Sequence, residues 1–317
     1  MIRSASHSFY PRAGANPWER QIAEAAARLA SGEGSEAELR AAEDEVATLV
    51  VADQSRAFVD VVTDGLVRWA DLVSHPVRAL DGVAFEPRLV VTGTVRRGRP
   101  ILVREFQVAR EVGAGQLKMV LPGPVTVALA AEDRDDAEIA ALARDVAAAW
   151  TAEARELAAA GCRFLQLDEP VLAARPELAD LVEATAAPVF EAMGEGATTI
   201  LSTYFGDLGS IVERAAGLPG THLGLDLVIS DANWEVVAKL PKSKGVVLGL
   251  FDASNPEVED AGDVADRMAP HRAALDGRDL MVGPQAGLEG LPRDVAFDKL
   301  LHARYLAESL RRDWKVR

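Results

Sequence analysis

Short apolar runs alternate with longer amphipathic stretches along almost the whole chain. The apolar runs are Ile2–Ser8, Phe58–Val62, Lys118–Leu121, Phe164–Leu167, Thr199–Leu201, His222–Leu225, Val246–Leu250 and Leu280–Val282. The fourth is bounded by Gly161 and Pro170 and is too brief for a helix, so a buried parallel strand is the reading that fits. Helical patterning covers Pro17–Ala30, Ser35–Asp53, Asp133–Ala160, Asp207–Ala216, Trp234–Leu240, Ala261–Ala274 and Arg293–Arg311. Pro17 suits a first helical position, and Ser35 suits an N-cap with Glu36 and Glu38 behind it. The two early helices form an N-terminal helical extension. Residues Pro87–Gly93 and Pro100–Phe106, joined by the Arg96–Arg99 turn, predict a β-hairpin excursion. Eight strands, the later ones each trailed by a helix, predict an α/β chain folded as a closed (β/α)8 barrel. An open doubly wound sheet is the runner-up, but no Gly-x-Gly-x-x-Gly turn supports it. No repeat or low-complexity linker divides residues 1–317, which predicts a single domain.

Composition removes several classes of partner. The net charge of −15 opposes binding to nucleic acid or to an anionic membrane surface. A lone cysteine, Cys162, excludes a disulfide framework and a cysteine-rich metal site. No apolar run approaches the roughly 18 residues of a membrane span. Met1 to Arg12 has no apolar core of a signal peptide, so a cytoplasmic location is expected.

A closed barrel would gather the polar residues at its strand ends on one rim. Asp168 and Glu169 end the fourth strand, where such folds collect their chemistry, and Pro170 stops the ladder. Ser8, Arg12, Asp64, Arg68, Trp69 and Thr126 fall on the same rim from earlier units. Ser202, Thr203, Tyr204, Asp207, Asp226, Asp252, Ser254, Asn255 and Gln285 follow from later ones. Some have plainer roles: Asp207 as a helix cap, His222 at the barrel base, Trp69 in packing, and Arg96, Arg97 and Arg99 in a solvated turn. Four or more rim carboxylates nonetheless exceed what structure needs.

Five blocks together resemble the cobalamin-independent methionine synthases. They are Ser8-Phe9-Tyr10-Pro11-Arg12, Val62-Thr63-Asp64-Gly65, Leu121 through Thr126, Gln166 through Pro170, and Val282 through Leu288. The resemblance implies a TIM barrel, related to that of the metal-free uroporphyrinogen decarboxylases. It also implies methyl transfer from a methyltetrahydrofolate to a zinc-bound homocysteine thiolate. The zinc-ligand positions of that family match Ser202, Tyr204, Asp226 and Ala286, of which only Asp226 is an ordinary zinc ligand. The family's proton-donating histidine matches Ser254, its pterin-holding glutamate Leu66, and its stacking tryptophan Ala130. Ser8, Asp168 and Glu169 match the side that binds the amino acid.

The chemistry expected without zinc uses a nucleophile with a positioned base, for which Asp168, Asp226 or Asp252 could serve. Tyr204 or Arg12 would steady the developing charge. Ser8, Arg12, Asp64, Glu169, Ser202 and Gln285 are the expected substrate contacts. The expected activity is a metal-independent methyltransfer to a small amino-acid- or keto-acid-like substrate, with no tightly bound cofactor and methyltetrahydrofolate as co-substrate. A lyase or decarboxylase of the porphyrinogen type is the competing enzyme reading. A non-catalytic small-molecule-binding barrel, homodimeric or serving a partner subunit, is the reading from another class.

Overall fold

The computed structural model describes residues 1–12, 20–85, 88–113, 115–131 and 134–315. Its strands are β1 (Ile2–Ser4), β2 (Val61–Val62), β3 (Leu80–Phe85), β4 (Leu89–Arg97), β5 (Gln116–Leu117) and β6 (Met119–Pro122). They continue with β7 (Phe164–Asp168), β8 (Thr198–Ser202), β9 (His222–Asp226), β10 (Gly245–Phe251) and β11 (Leu280–Pro284). Seven of them form one parallel sheet in the order β1-β11-β10-β9-β8-β7-β6. The remaining gap is closed by β2. Ala5 bridges Val61 in parallel, and the Ser6 amide donates to Val61 O at 2.9 Å. On its other side β2 pairs with β5, and the Lys118 amide donates to Val62 O at 2.8 Å before the chain runs on into β6. β5 and β6 thus act as one strand interrupted at Lys118, and eight strand positions complete a barrel.

The long helices begin as their sequences require. Ser35 and Glu38 form a capping box at the start of Glu36–Arg56, and Asp135 and Glu138 form another at Asp136–Ala159. Pro17 and Asp133, expected near helix starts, lie outside the described residues. The hairpin is present with different arms. It pairs β3 with β4 antiparallel, whereas the expected second arm, Pro100–Phe106, leads into the helix Val103–Arg110. Phe106 and Ala109 lie three apart on that helix and are its buried apolar positions, a helical spacing hidden inside a short run. The buried Glu153 carboxylate accepts from the amides of Ile101 (3.0 Å) and Leu102 (2.6 Å), which fixes the turn into this helix. Arg97 at the end of β4 holds the same carboxylate at 2.8 Å.

Strand parity sorts the barrel interior into layers. Ala5, Val61, Phe164, Ile200, Val247 and Met281 form a separate apolar cluster, the plug of the lower barrel. Leu165, Leu167, Leu201, Leu223, Val246 and Val282 point the other way, into the large cluster beneath the helices. Two residues beyond the plug, on the same inner face, stand His7, Thr63, Gln166 and Ser202, all buried. The polar layer has room because β9 carries Gly224 there: a Cβ on it would lie 2.7 Å from Ser202 Oγ. His222 sits at the base, its Nε2 3.3 Å from Asp279 Oδ2.

Candidate active site

The centre of the polar layer is Asp168, the last residue of β7, which has no exposed surface. Gln166, two residues earlier and on the same face, donates from Nε2 to Asp168 Oδ1 at 2.6 Å and to His7 O at 3.2 Å. The Gln166 oxygen receives the Lys118 ammonium at 2.5 Å, and that Nζ also donates to Ser6 O at 2.8 Å. Tyr204 OH reaches Asp168 Oδ2 at 3.5 Å. His7 bridges two hydroxyls, with Nδ1 at 2.8 Å from Ser8 Oγ and Nε2 at 2.9 Å from Ser202 Oγ. Its ring meets Tyr204 edge to face at 5.0 Å.

Burial dominates the ionisation of these groups. It pushes Asp168 up to about 7, against hydrogen bonding from Gln166 and the charge of Lys118. It pulls Lys118 down to about 7, with Asp168 opposing. Burial and then the Lys118 charge hold His7 well below the ordinary imidazole value, so its ring is neutral. Burial, followed by the Asp168 charge, keeps the Tyr204 hydroxyl protonated. Burial thus displaces both members of the Asp168–Lys118 pair towards neutrality.

Glu169 faces a different way. Its carboxylate accepts from the amides of Thr126 (2.6 Å) and Val125 (3.2 Å) and from the Thr126 hydroxyl, at the start of the helix Pro124–Leu129. Burial raises it to about 7, with these Thr126 bonds opposing. Asp226 likewise spends both oxygens on backbone. Oδ2 accepts from Phe205, and Oδ1 accepts from Val228 and Ile229, each at 3.0 Å. Asp252 accepts from the Ser254 amide and hydroxyl at 2.8 and 2.6 Å and from Gln285 Nε2 at 3.3 Å. Burial tends to raise Asp252, but these bonds leave it below the usual carboxylate value. Gln285 also accepts from the Ala253 amide at 2.7 Å, while Asp252 and Asn255 line a separate hollow with Arg267.

A cavity of about 440 Å³ opens above the polar layer. Ser8 and Tyr204, both touching the Asp168 network, form part of its wall, with Phe9, Trp69, Phe205 and Arg12 around them. Arg12 is turned to Val67 O at 2.6 Å, and burial lowers its guanidinium pKa. Trp69 is buried between His75, stacked at 5.2 Å, and Phe9, edge-on at 6.4 Å. Asp64 stands outside this cavity. Arg68 lies 3.6 Å from it and is also bound to Asp44 at 2.6 Å. Burial, then the Glu105 charge, raises Asp64 to about 6. Thr203 and Asp207 serve the local backbone, through Gly224 O and the Gly209 amide.

The geometry therefore draws Ser8, Asp168, Ser202 and Tyr204 together, and leaves Asp64, Asp252 and Gln285 in separate contacts. His7, Lys118 and the role of Gln166 are additions that strand ends alone did not indicate. The available signal was parity: Gln166 shares a face with Asp168 two residues on, and Lys118 is a charged residue within an otherwise apolar strand. At the four positions matched to zinc ligands, the Ser202 hydroxyl is bonded to His7, the Tyr204 hydroxyl is directed at Asp168, the Asp226 oxygens are held by amides, and Ala286 has no donor. Among the described residues no three His, Cys, Asp or Glu side chains converge as a metal-ligand set.

Residues 12–309 match the family described as "Cobalamin-independent synthase, Catalytic domain". A methionine synthase of Sulfurisphaera tokodaii is 27% identical over 303 residues, covering 91% of this chain and 88% of the relative. A 5-methyltetrahydropteroyltriglutamate–homocysteine methyltransferase of Burkholderia pseudomallei is 33% identical over 203 residues, 63% of this chain and 26% of that longer protein. Among solved structures, a B12-independent methionine synthase from a Shewanella strain, in complex with selenomethionine, shares the fold. Its TM-score is 0.85 at 21% identity, with 99% of each chain covered. No helix among the described residues is long and apolar enough to cross a membrane.

Proposed function

We propose, from the premise that the chain belongs to the cobalamin-independent methionine synthase family, that it methylates a small amino-acid acceptor whose ammonium group pairs with Asp168. The methyl donor is of the methyltetrahydropteroylglutamate type named for the relatives, and residues 1–317 act as one barrel unit. The observation that carries this reading is the buried Asp168 carboxylate behind Ser8 and Tyr204, the two side chains that join it to the cavity. The long 3.5 Å contact from Tyr204 is the one an incoming ammonium group displaces. A charge-assisted bond there would be stronger than the neutral contact it replaces. The aromatic rings of Phe9 and Phe205 on the cavity wall suit a flat, partly apolar donor.

The reading includes no tightly held zinc ion. Structural and catalytic zinc needs three or four protein ligands, and the donor set at the matched positions does not fit one. Proton removal from the acceptor then falls to the protein.

Binding of L-methionine, measured by calorimetry on wild type and Asp168→Asn, tests the acceptor site. Removing one partner of a desolvated charge pair costs about 2–5 kcal/mol, so binding should weaken by roughly 30-fold or more while the melting curve stays cooperative. The des-amino analogue 4-(methylthio)butanoate should bind both forms equally weakly. Undiminished L-methionine binding in Asp168→Asn would overturn the reading.

A further inference from the structure

The Lys118 side chain has no exposed surface and lies inside the barrel, away from the wall of the cavity. Its two acceptors are Ser6 O and Gln166 Oε1. An ammonium group has donors and no acceptor, so the Gln166 oxygen must face it and the Gln166 NH2 must face the other way. That NH2 then has two acceptors, His7 O and Asp168 Oδ1, and the amide is satisfied at both ends. One oxygen of Asp168 is tied by this bond. The other, Oδ2, points towards Tyr204.

We propose that Lys118 is a positioning residue of this site: through the Gln166 amide it fixes which oxygen of Asp168 is turned to the acceptor, and its charge favours the ionised form of that carboxylate. This rests on the assignment of Asp168 as the acceptor's partner. The groups facing Asp168 set the balance. The Gln166 hydrogen bond, then the Lys118 charge and the Ser8 hydroxyl, favour its charged form, while Tyr204, Glu169 and Glu289 are anionic or become so on ionisation, and His7 is neutral. Lys118 is therefore the cation opposed to Asp168 from within the barrel, and Gln166 passes its orientation on. Without it the amide could turn over, presenting its oxygen to Asp168, and only a protonated carboxyl could then face it.

The test is a pH titration of Asp168 in ligand-free protein carrying 13C-labelled aspartate carboxyls, with the signal assigned by its loss in Asp168→Asn. In Lys118→Met the midpoint should rise by roughly one pH unit or more. L-methionine affinity at pH 7 should fall about 10-fold and recover as the pH is raised, whereas simple loss of packing would weaken binding at every pH. Gln166→Leu, which keeps the ammonium but removes the amide donor on Asp168, should lose affinity and raise the midpoint at least as far, and it serves if Lys118→Met does not fold. An unmoved Asp168 midpoint in the folded variant overturns the proposal. Failure of the acceptor assignment reads differently: Asp168→Asn would then keep its affinity whatever Lys118→Met does to the titration.

Discussion

Replacing Gly123 with alanine should unseat Glu169, and its cost can be worked from contacts. Gly123 has φ −60° and ψ 143°, a conformation that alanine adopts freely, so backbone strain does not enter. The added Cβ would lie 2.0 Å from Glu169 Oε2 and 2.3 Å from its Cδ. The carboxylate must move, and it then gives up the Val125 and Thr126 amides and the Thr126 hydroxyl. Each buried group left unpaired costs about 1–3 kcal/mol, and partial relaxation brings the sum to roughly 3–6 kcal/mol. Unfolding entropy of about 2.1 cal/mol/K per residue amounts to roughly 0.7 kcal/mol/K for 317 residues. The melting temperature should therefore fall by about 4–9 °C, read by calorimetry. The decisive assay is the cycle with Glu169→Ala. With the carboxylate gone only the Cβ of residue 169 still crowds the new methyl, at 2.9 Å, so Gly123→Ala should cost less than in wild type by roughly 2–3 kcal/mol. An equal cost in both backgrounds, or no shift in either, would refute the seating of Glu169 on Gly123.

Three other outcomes follow from the same contacts. Asp168 has its folded value raised from 3.8 to about 7, so between those limits the folded chain binds more protons than the unfolded one, and Asp168's contribution to stability declines as pH rises through that window. Asp168→Asn lacks this decline. Its melting temperature relative to wild type should improve from pH 5 to pH 7, and a constant difference would contradict the buried protonation. Protein purified without chelator should carry well below one zinc per chain by elemental analysis, and stoichiometric zinc would overturn the donor-set reasoning. Asp226→Asn should cost about 1–3 kcal/mol in thermal unfolding, since one oxygen cannot serve the amides of Phe205, Val228 and Ile229. It should also disturb the cavity wall at Phe205, seen as weaker donor binding.

The barrel was legible because its strands are short apolar runs, and the rim was legible because strand ends are polar. What escaped was everything set by three-dimensional pairing. Residues Pro100–Phe106 read as a strand because a short apolar run has no visible period, and the carboxylate that turns them towards helix, Glu153, lies far along the chain. The strand end at Asp168-Glu169-Pro170 marked two carboxylates without separating them. Parity separates them: Asp168 shares the inner face of Gln166, and Glu169 turns outward to the Val125–Thr126 amides. His7 precedes the Ser8 block, and nothing beside it along the chain shows that its ring spans Ser8 and Ser202. Asp226 and Asp252 were legible as rim carboxylates, but their commitment to loop amides depends on turns that the sequence does not display.

The division of the interior into an apolar plug and a polar layer bears on why Lys118 and Asp168 are there at all. Burying both ions is unfavourable unless they are paired, and an apolar pair of equal volume is often as stable or more so. Here the pairing is indirect, through one amide, so the two charges attract each other less than a direct ion pair would. Burial displaces both groups towards neutrality, which is what incomplete compensation looks like. A fold selected for stability alone would join the two ions or remove them. Separated by Gln166, they leave Asp168 with neutral donors only, Gln166, Ser8 and Tyr204, and an acceptor's ammonium group would supply a charged one. The deficit is small in the ligand-free barrel because Tyr204 covers Oδ2, and it is discharged when the ammonium displaces the tyrosine. The strained charge balance of the polar layer is thus the counterpart of its preference for a cationic group, and the apolar plug below keeps water from relieving it at the barrel base.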